Sequence, residues 1–123
     1  MGSKDACEQL VDKLNNIMPG VIKLKYEYSC DYVEFLDLKI MIKSGKLVTD
    51  LYVKPSKSQL YLDYRSNHPD HCKNAIVYSQ ALRIVERCSD PDLAEPHLDQ
   101  LKTKLLNIYY PEKIANNQIE RAT

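Results

Sequence analysis

The sequence has no tryptophan, a single phenylalanine and only three glycines. Three glycines are too few for a glycine-rich loop that cradles phosphate, and no serine lies in a nucleophile-elbow context. No apolar run approaches the roughly 18 residues of a membrane-spanning helix. The opening Met1-Gly2-Ser3-Lys4 lacks the charged-then-apolar order of a secretory leader, so an intracellular location and no membrane partner are expected. Met1-Gly2-Ser3 has the form of a cloning remnant ahead of an excised segment. The four cysteines, Cys7, Cys30, Cys72 and Cys88, include no CxxC pair. In an intracellular chain they are expected to stay reduced, most of them as buried thiols.

What the chain does have is tyrosine, nine residues of it. Rings that carry a hydroxyl suit half-buried sheet faces and ligand-facing surfaces better than a deep core. The apolar fraction of 44% and charged fraction of 28% over 123 residues are those of an ordinary globular domain. A chain of this length can bury roughly two-thirds of its unfolded surface without needing a disulfide or metal. The 17 basic and 17 acidic residues cancel, but unevenly. Residues 1–55 carry eight of each sign, residues 56–88 five basic to three acidic, and residues 89–123 four basic to six acidic. That small central excess is compatible with a weak nucleic-acid surface, whereas tight binding would call for a strongly basic face.

The stretch from Glu34 to Pro55, EFLDLKIMIKSGKLVTDLYVKP, predicts a β-hairpin with its turn at Ser44-Gly45. The register then sets Ile42 opposite Leu47, Ile40 opposite Thr49, Leu38 opposite Leu51 and Leu36 opposite Val53, with Lys39 facing Asp50 on the other side. Upstream, Ile22 to Tyr28 alternates strictly between apolar and polar, as a half-buried strand should. Before it, Cys7, Leu10, Val11, Leu14 and Ile17 recur at helical spacing, and Pro19-Gly20 ends that helix. The expectation is an N-terminal helix on a three-stranded antiparallel meander.

Past a boundary placed near residue 56, the pattern turns helical. Val77, Ala81, Ile84, Val85 and Cys88 form one stripe, with Gln80, Arg83 and Arg87 together on another face. Ser66 or Asn67 is expected to cap this helix, with Pro69 near its first turn. Ser89-Asp90-Pro91 separates it from a helix striped by Ala94, Leu98, Leu101, Leu105 and Ile108. Tyr110-Pro111 precedes a last helix carrying Ile114, Ala115, Gln118, Ile119 and Ala122. The fold class is therefore α+β, with a sheet subdomain over 1–55 and a small three- to four-helix bundle over 56–123.

Little catalytic chemistry is legible. His68, His71 and Cys72 within HPDHC could join Cys88 as soft metal ligands, but no paired spacing enforces a tetrahedral site, and capping or surface histidines are the simpler reading. Asp31, Asp37, Asp50 and Asp63 are scattered, and Asp50 is accounted for by Lys39. The chain is not expected to be an enzyme, nor to hold a metal or cofactor.

The succession EFLDLKI (34–40), SGKLVTDLYVKP (44–55), YLDYRSNHPDH (61–71), YSQALRIVERCS (78–89) and YPEKIANNQIERA (110–122) resembles the region after the catalytic centre in reverse transcriptases of Penelope-like retroelements. The resemblance implies the end of the palm with a primer-grip hairpin, then a helical thumb. The Asp-Asp motif that would hold catalytic Mg²⁺ in the parent polymerase is absent, so the segment is expected to contact an RNA–DNA or DNA duplex without catalysis. Phe35 and Asp37 would lie at the primer grip. Lys54, Arg65, His68, His71, Lys73, Gln80, Arg83 and Arg87 would face the duplex backbone and read its shape. A nuclear location is expected if the segment acts with a parent retroelement. The alternative is a domesticated transposable-element remnant that self-associates, as a homodimer, through an exposed sheet edge.

Overall fold

The computed structural model describes residues 4–54 and 61–123. In chain order they form α1 (Lys4–Ile17), β1 (Tyr32–Phe35), β2 (Leu38–Lys43), β3 (Lys46–Leu51), α2 (Asp70–Arg87), α3 (Pro91–Asn107) and α4 (Glu112–Ala122). The strands make one antiparallel sheet in the order β1-β2-β3. An N-terminal helix, a three-stranded sheet and a helical bundle are the α+β architecture expected. No helix among the described residues is long and apolar enough to cross a membrane. The chain divides into two compact units, residues 1–33 and 34–123. The boundary expected near residue 56 lies outside the described residues.

The hairpin has the expected register, from Leu38 opposite Leu51 through Lys39 opposite Asp50 to Ile42 opposite Leu47. Its turn has Ser44 at φ 51° and Gly45 at φ 74°. Both central residues at positive φ give the twist that a two-residue hairpin loop needs. Two features differ from expectation. Leu36 takes φ 56° and the chain turns at Leu36-Asp37, so β1 and β2 are separate strands and Leu36 does not pair with Val53. Leu36 is consequently 76% exposed and not a core residue.

The segment from Ile22 to Tyr28 is not a strand; Tyr32–Phe35 takes its place in the sheet. Within residues 22–28, Leu24 is paired not with a strand but with a side chain. The Asn15 amide on α1 accepts from the Leu24 N–H at 2.6 Å and donates to the Leu24 carbonyl at 3.3 Å, which imitates one rung of a ladder. None of the residues of α1 is buried.

The core lies in the helices. Val77, Ala81, Ile84 and Cys88 of the α2 stripe meet Ala94, Leu101 and Leu105 of α3 and Ala115 and Ala122 of α4, with Tyr110 closing one end. Leu105 and Val77 are fully buried, each worth roughly 1.5–3 kcal/mol by removal from water. Asp90 caps α3 by accepting from the Asp92 N–H at 3.1 Å, and Pro91 occupies the first turn, where its missing N–H costs nothing. At the start of α2 the expected side-chain cap is not used: Pro69 itself stands at the cap position, and its carbonyl accepts from the Cys72 and Lys73 N–H groups.

The end of α3 closes on itself. The Tyr110 N–H donates to the Leu105 carbonyl and the Tyr109 N–H to the Leu106 carbonyl, both at 3.1 Å, with Tyr109 at φ 71°. This paired bonding normally uses glycine at the left-handed position. Here Tyr109 takes it, its ring lying under the Arg65 guanidinium at 3.6 Å, while Tyr110 is buried beside Leu105.

The hairpin joins the bundle through β3. The Ser89 N–H donates to the Thr49 carbonyl at 3.0 Å, and the Thr49 N–H donates to Ser89 Oγ at 3.1 Å. The turn between α2 and α3 is thus plugged into the outer edge of the sheet, and Leu51 packs against the helical core.

Candidate nucleic-acid interface

Asp37 terminates the β1–β2 turn and aims its carboxylate at α2. Arg83 Nε lies 2.8 Å from Asp37 Oδ2 and an Arg83 terminal nitrogen 2.7 Å, with Arg87 Nε at 3.4 Å from the same oxygen. Hydrogen bonding from Arg83 is the main reason the Asp37 carboxyl is held below its ordinary value of 3.8, against a smaller opposing effect of desolvation. Arg83 and Arg87 were expected to face the duplex backbone and Asp37 to lie at the primer grip; in the fold the one Asp37 carboxylate is shared by both guanidiniums, which leaves the group with one net positive charge. Side-chain exposures of 35%, 38% and 24% leave the group at the surface.

Beside this ion pair lies a cleft of about 460 Å³ whose wall includes Lys54, Tyr61, Gln80, Arg83, His97 and Lys104. The fold therefore brings Asp37, Lys54, Gln80 and Arg83 to one cleft, with Arg87 beside it. The other expected residues sit elsewhere. Arg65 pairs with Asp63 at 3.1 Å as well as stacking on Tyr109. His68 Nδ1 is 3.1 Å from Ser66 Oγ, and His71 is exposed in the first turn of α2. Lys73 is only 7% exposed, with its ammonium 4.8 Å from the Tyr64 ring centre. Phe35 is 59% exposed at the end of β1.

The bundle contains two helix pairs joined by short connections. Cys88-Ser89-Asp90 links α2 to α3, and Ile108-Tyr109-Tyr110-Pro111 links α3 to α4. Two helices joined by three or four residues are the frame of a helix-turn-helix. Residues 60–120 match the family model of the animal helix-turn-helix domain. No curated protein and no solved structure matches the chain.

The match corrects the reverse-transcriptase resemblance. The blocks at 61–71 and 78–89, and most of that at 110–122, fall within the segment that the helix-turn-helix model covers. The Penelope-like and thumb roles attached to those blocks go with it, and so does the primer-grip role of Phe35 and Asp37, residues outside the matched segment, because it rested on the same resemblance. In this architecture the second helix of the pair enters the major groove, with its N-terminal residues nearest the bases.

The geometry distinguishes the two pairs. In the first, Ser89 is bonded to Thr49, and α3 opens with Asp92 and Glu95, whose charge would repel phosphate. In the second, α4 starts in the open. Lys113, Asn117 and Arg121 are all exposed, and their four-residue spacing puts them on one face. Glu112, the acidic residue at its start, is paired with Lys102 at 3.1 Å. Arg121 also lies 5.1 Å from the Tyr78 ring centre and 3.4 Å from Gln118 Oε1, which orients it along the α2 side of the helix.

The α4 face was missed in sequence because residues 89–123 are net acidic. Regional charge hides a face on which lysine, asparagine and arginine recur every fourth residue. A second cluster was missed as well. Asp50, assigned to Lys39 by register, has its Oδ1 2.9 Å from His97 Nε2 and 3.5 Å from Cys88 Sγ. Among the described residues only Asp50, Cys88 and His97 form a three-residue group of metal-ligand type, a combination that differs from the His68, His71, Cys72 and Cys88 set weighed and set aside in sequence.

Proposed function

We propose that residues 61–122 bind duplex DNA as a helix-turn-helix domain, with α4 as the helix presented to the major groove. The observation that carries this reading is the helix-turn-helix match over a bundle whose last helix offers Lys113, Asn117 and Arg121 on one exposed face. Asparagine can bond adenine through two atoms at once, and arginine can do the same with guanine. Lysine at the start of the helix suits a phosphate. Lys54, His68 and His71 are further candidates for backbone contact, whereas Arg65 is paired with Asp63 and stacked on Tyr109, Arg83 and Arg87 share Asp37, and Lys73 lies buried near the Tyr64 ring. The domain itself performs no catalysis in this reading.

The net-neutral sequence sets the expected strength. Few phosphates are neutralised, so non-specific affinity falls in the range of about 10⁻⁴–10⁻⁶ M and weakens as salt rises. Fluorescence anisotropy with labelled duplex DNA and an RNA–DNA hybrid at two salt concentrations tests this. Binding of the DNA duplex with a clear salt dependence supports the proposal. No binding at low salt, or preference for the A-form hybrid, contradicts it. Self-association through the sheet edge has less support, because Ser89 already bonds Thr49 on β3.

A further inference from the structure

Asp50, Cys88 and His97 come from three separate segments: β3, the residue that ends α2, and the second turn of α3. Their ligand atoms all lie within 4.8 Å of one another. Cys88 is 8% exposed, and the His97 and Asp50 side chains are 21% and 20% exposed. The group is enclosed but can be reached, since His97 also lines the cleft beside Arg83.

We propose that Asp50 Oδ1, Cys88 Sγ and His97 Nε2 form a mononuclear site for a zinc-type divalent cation. Zinc bonds of about 2.0–2.3 Å in tetrahedral array place ligand atoms roughly 3.4–3.6 Å apart. The sulfur-to-carboxylate separation of 3.5 Å already fits, and the nitrogen-to-carboxylate separation of 2.9 Å needs to widen by roughly half an ångström. One thiolate, one imidazole and one carboxylate favour a borderline-soft ion over magnesium or calcium, which take oxygen ligands. Binding replaces the hydrogen bonds from Cys88 and His97 to Asp50 with three metal bonds. The thiol proton leaves to solvent, the imidazole presents Nε2 with its proton on Nδ1, and water fills the fourth position. Thiolate and carboxylate together neutralise the ion. The consequence is a clamp that holds β3 to the ends of α2 and α3, independent of any nucleic acid.

Cobalt(II) titration of the full chain with its thiols reduced, followed by zinc competition and by thermal unfolding with and without chelator, tests the site. The expected result is one bound equivalent with a thiolate-to-cobalt absorption band, displaced by Zn²⁺, and a melting temperature that the metal raises. Cys88→Ser abolishes the band. His97→Gln, which can still bond Asp50 and so preserve the fold, weakens affinity at least about tenfold. Absence of the band overturns the proposal. Its survival in Cys88→Ser does so too, because one of the other three cysteines would then hold the metal, as does an unchanged affinity in His97→Gln.

Discussion

Residues 4–33 and the helical bundle of residues 61–123 are built from the same kind of pattern and come to opposite ends. Helix α1 is the most sharply amphipathic helix of the chain, yet no described residue before position 34 is buried, and Leu10, Ile17 and Val21 are 59%, 70% and 75% exposed. The less sharply patterned α2, α3 and α4 bury ten hydrophobic residues counting Tyr110 and Cys88 in their connections. Amphipathic period fixes which side of a helix wants cover. Cover itself comes from neighbours of matching length on short connections, which α2, α3 and α4 provide for one another.

The largest expected contrast is between a leucine in each region. Leu105→Ala, at a fully buried site, should cost about 2–5 kcal/mol in urea denaturation. Leu14→Ala, 39% exposed on α1, should stay within about 0.5 kcal/mol. Equal losses would mean that α1 has a buried partner and would erase the distinction. Next in size is the joint between α2 and α3, where Asp90→Ala removes the α3 cap and should cost about 1 kcal/mol.

Asp37→Asn probes the link between hairpin and α2. Because the pair is partly open to solvent, the loss should be below about 1 kcal/mol. Its pH dependence has a definite sign. The folded carboxyl titrates below 3.8, so its contribution is fully present above about pH 5 and is lost as pH falls through 3.8 to the folded value. Stability of the wild type should therefore drop toward that of Asp37→Asn over this range, and the difference should vanish in stronger acid. The smallest effect belongs to the N-terminal region: Asn15→Ala should cost only a few tenths of a kcal/mol. It should nevertheless speed hydrogen exchange at the Leu24 amide, with no change at amides of α2.

How much of this was legible follows from which interactions are local. The Ser44-Gly45 turn and the register from Leu38 to Leu51 were readable because a positive-φ turn and alternating residues fix each other within a few positions. The stripes of α2, α3 and α4 were readable for the same reason. Leu36 was not, since nothing about leucine announces a φ of 56°. Nor was Tyr109, which takes a position that normally uses glycine, with Arg65 over its ring. Ile22 to Tyr28 shows that strict alternation does not by itself make a strand. Asp50 shows the complementary lesson: a good local explanation, Lys39 across the ladder, concealed His97 and Cys88, which come from 47 and 38 positions away. The candidate DNA-binding face was obscured by charge averaging, because Glu112 is spent on Lys102 while Lys113 and Asn117 lie exposed on α4 with Arg121, itself exposed, leaning toward Tyr78 at the end of the stripe.

The central claim is that α4, and not the guanidinium face of α2, meets DNA. Anisotropy titration of one labelled duplex with wild type, Lys113→Ala/Asn117→Ala and Gln80→Ala/Arg83→Gln decides between them. The α4 variant should lose about tenfold in affinity, the scale of one base contact with one phosphate contact, while the α2 variant stays within about twofold of wild type. Loss of binding in the α2 variant with the α4 variant unchanged would contradict the account.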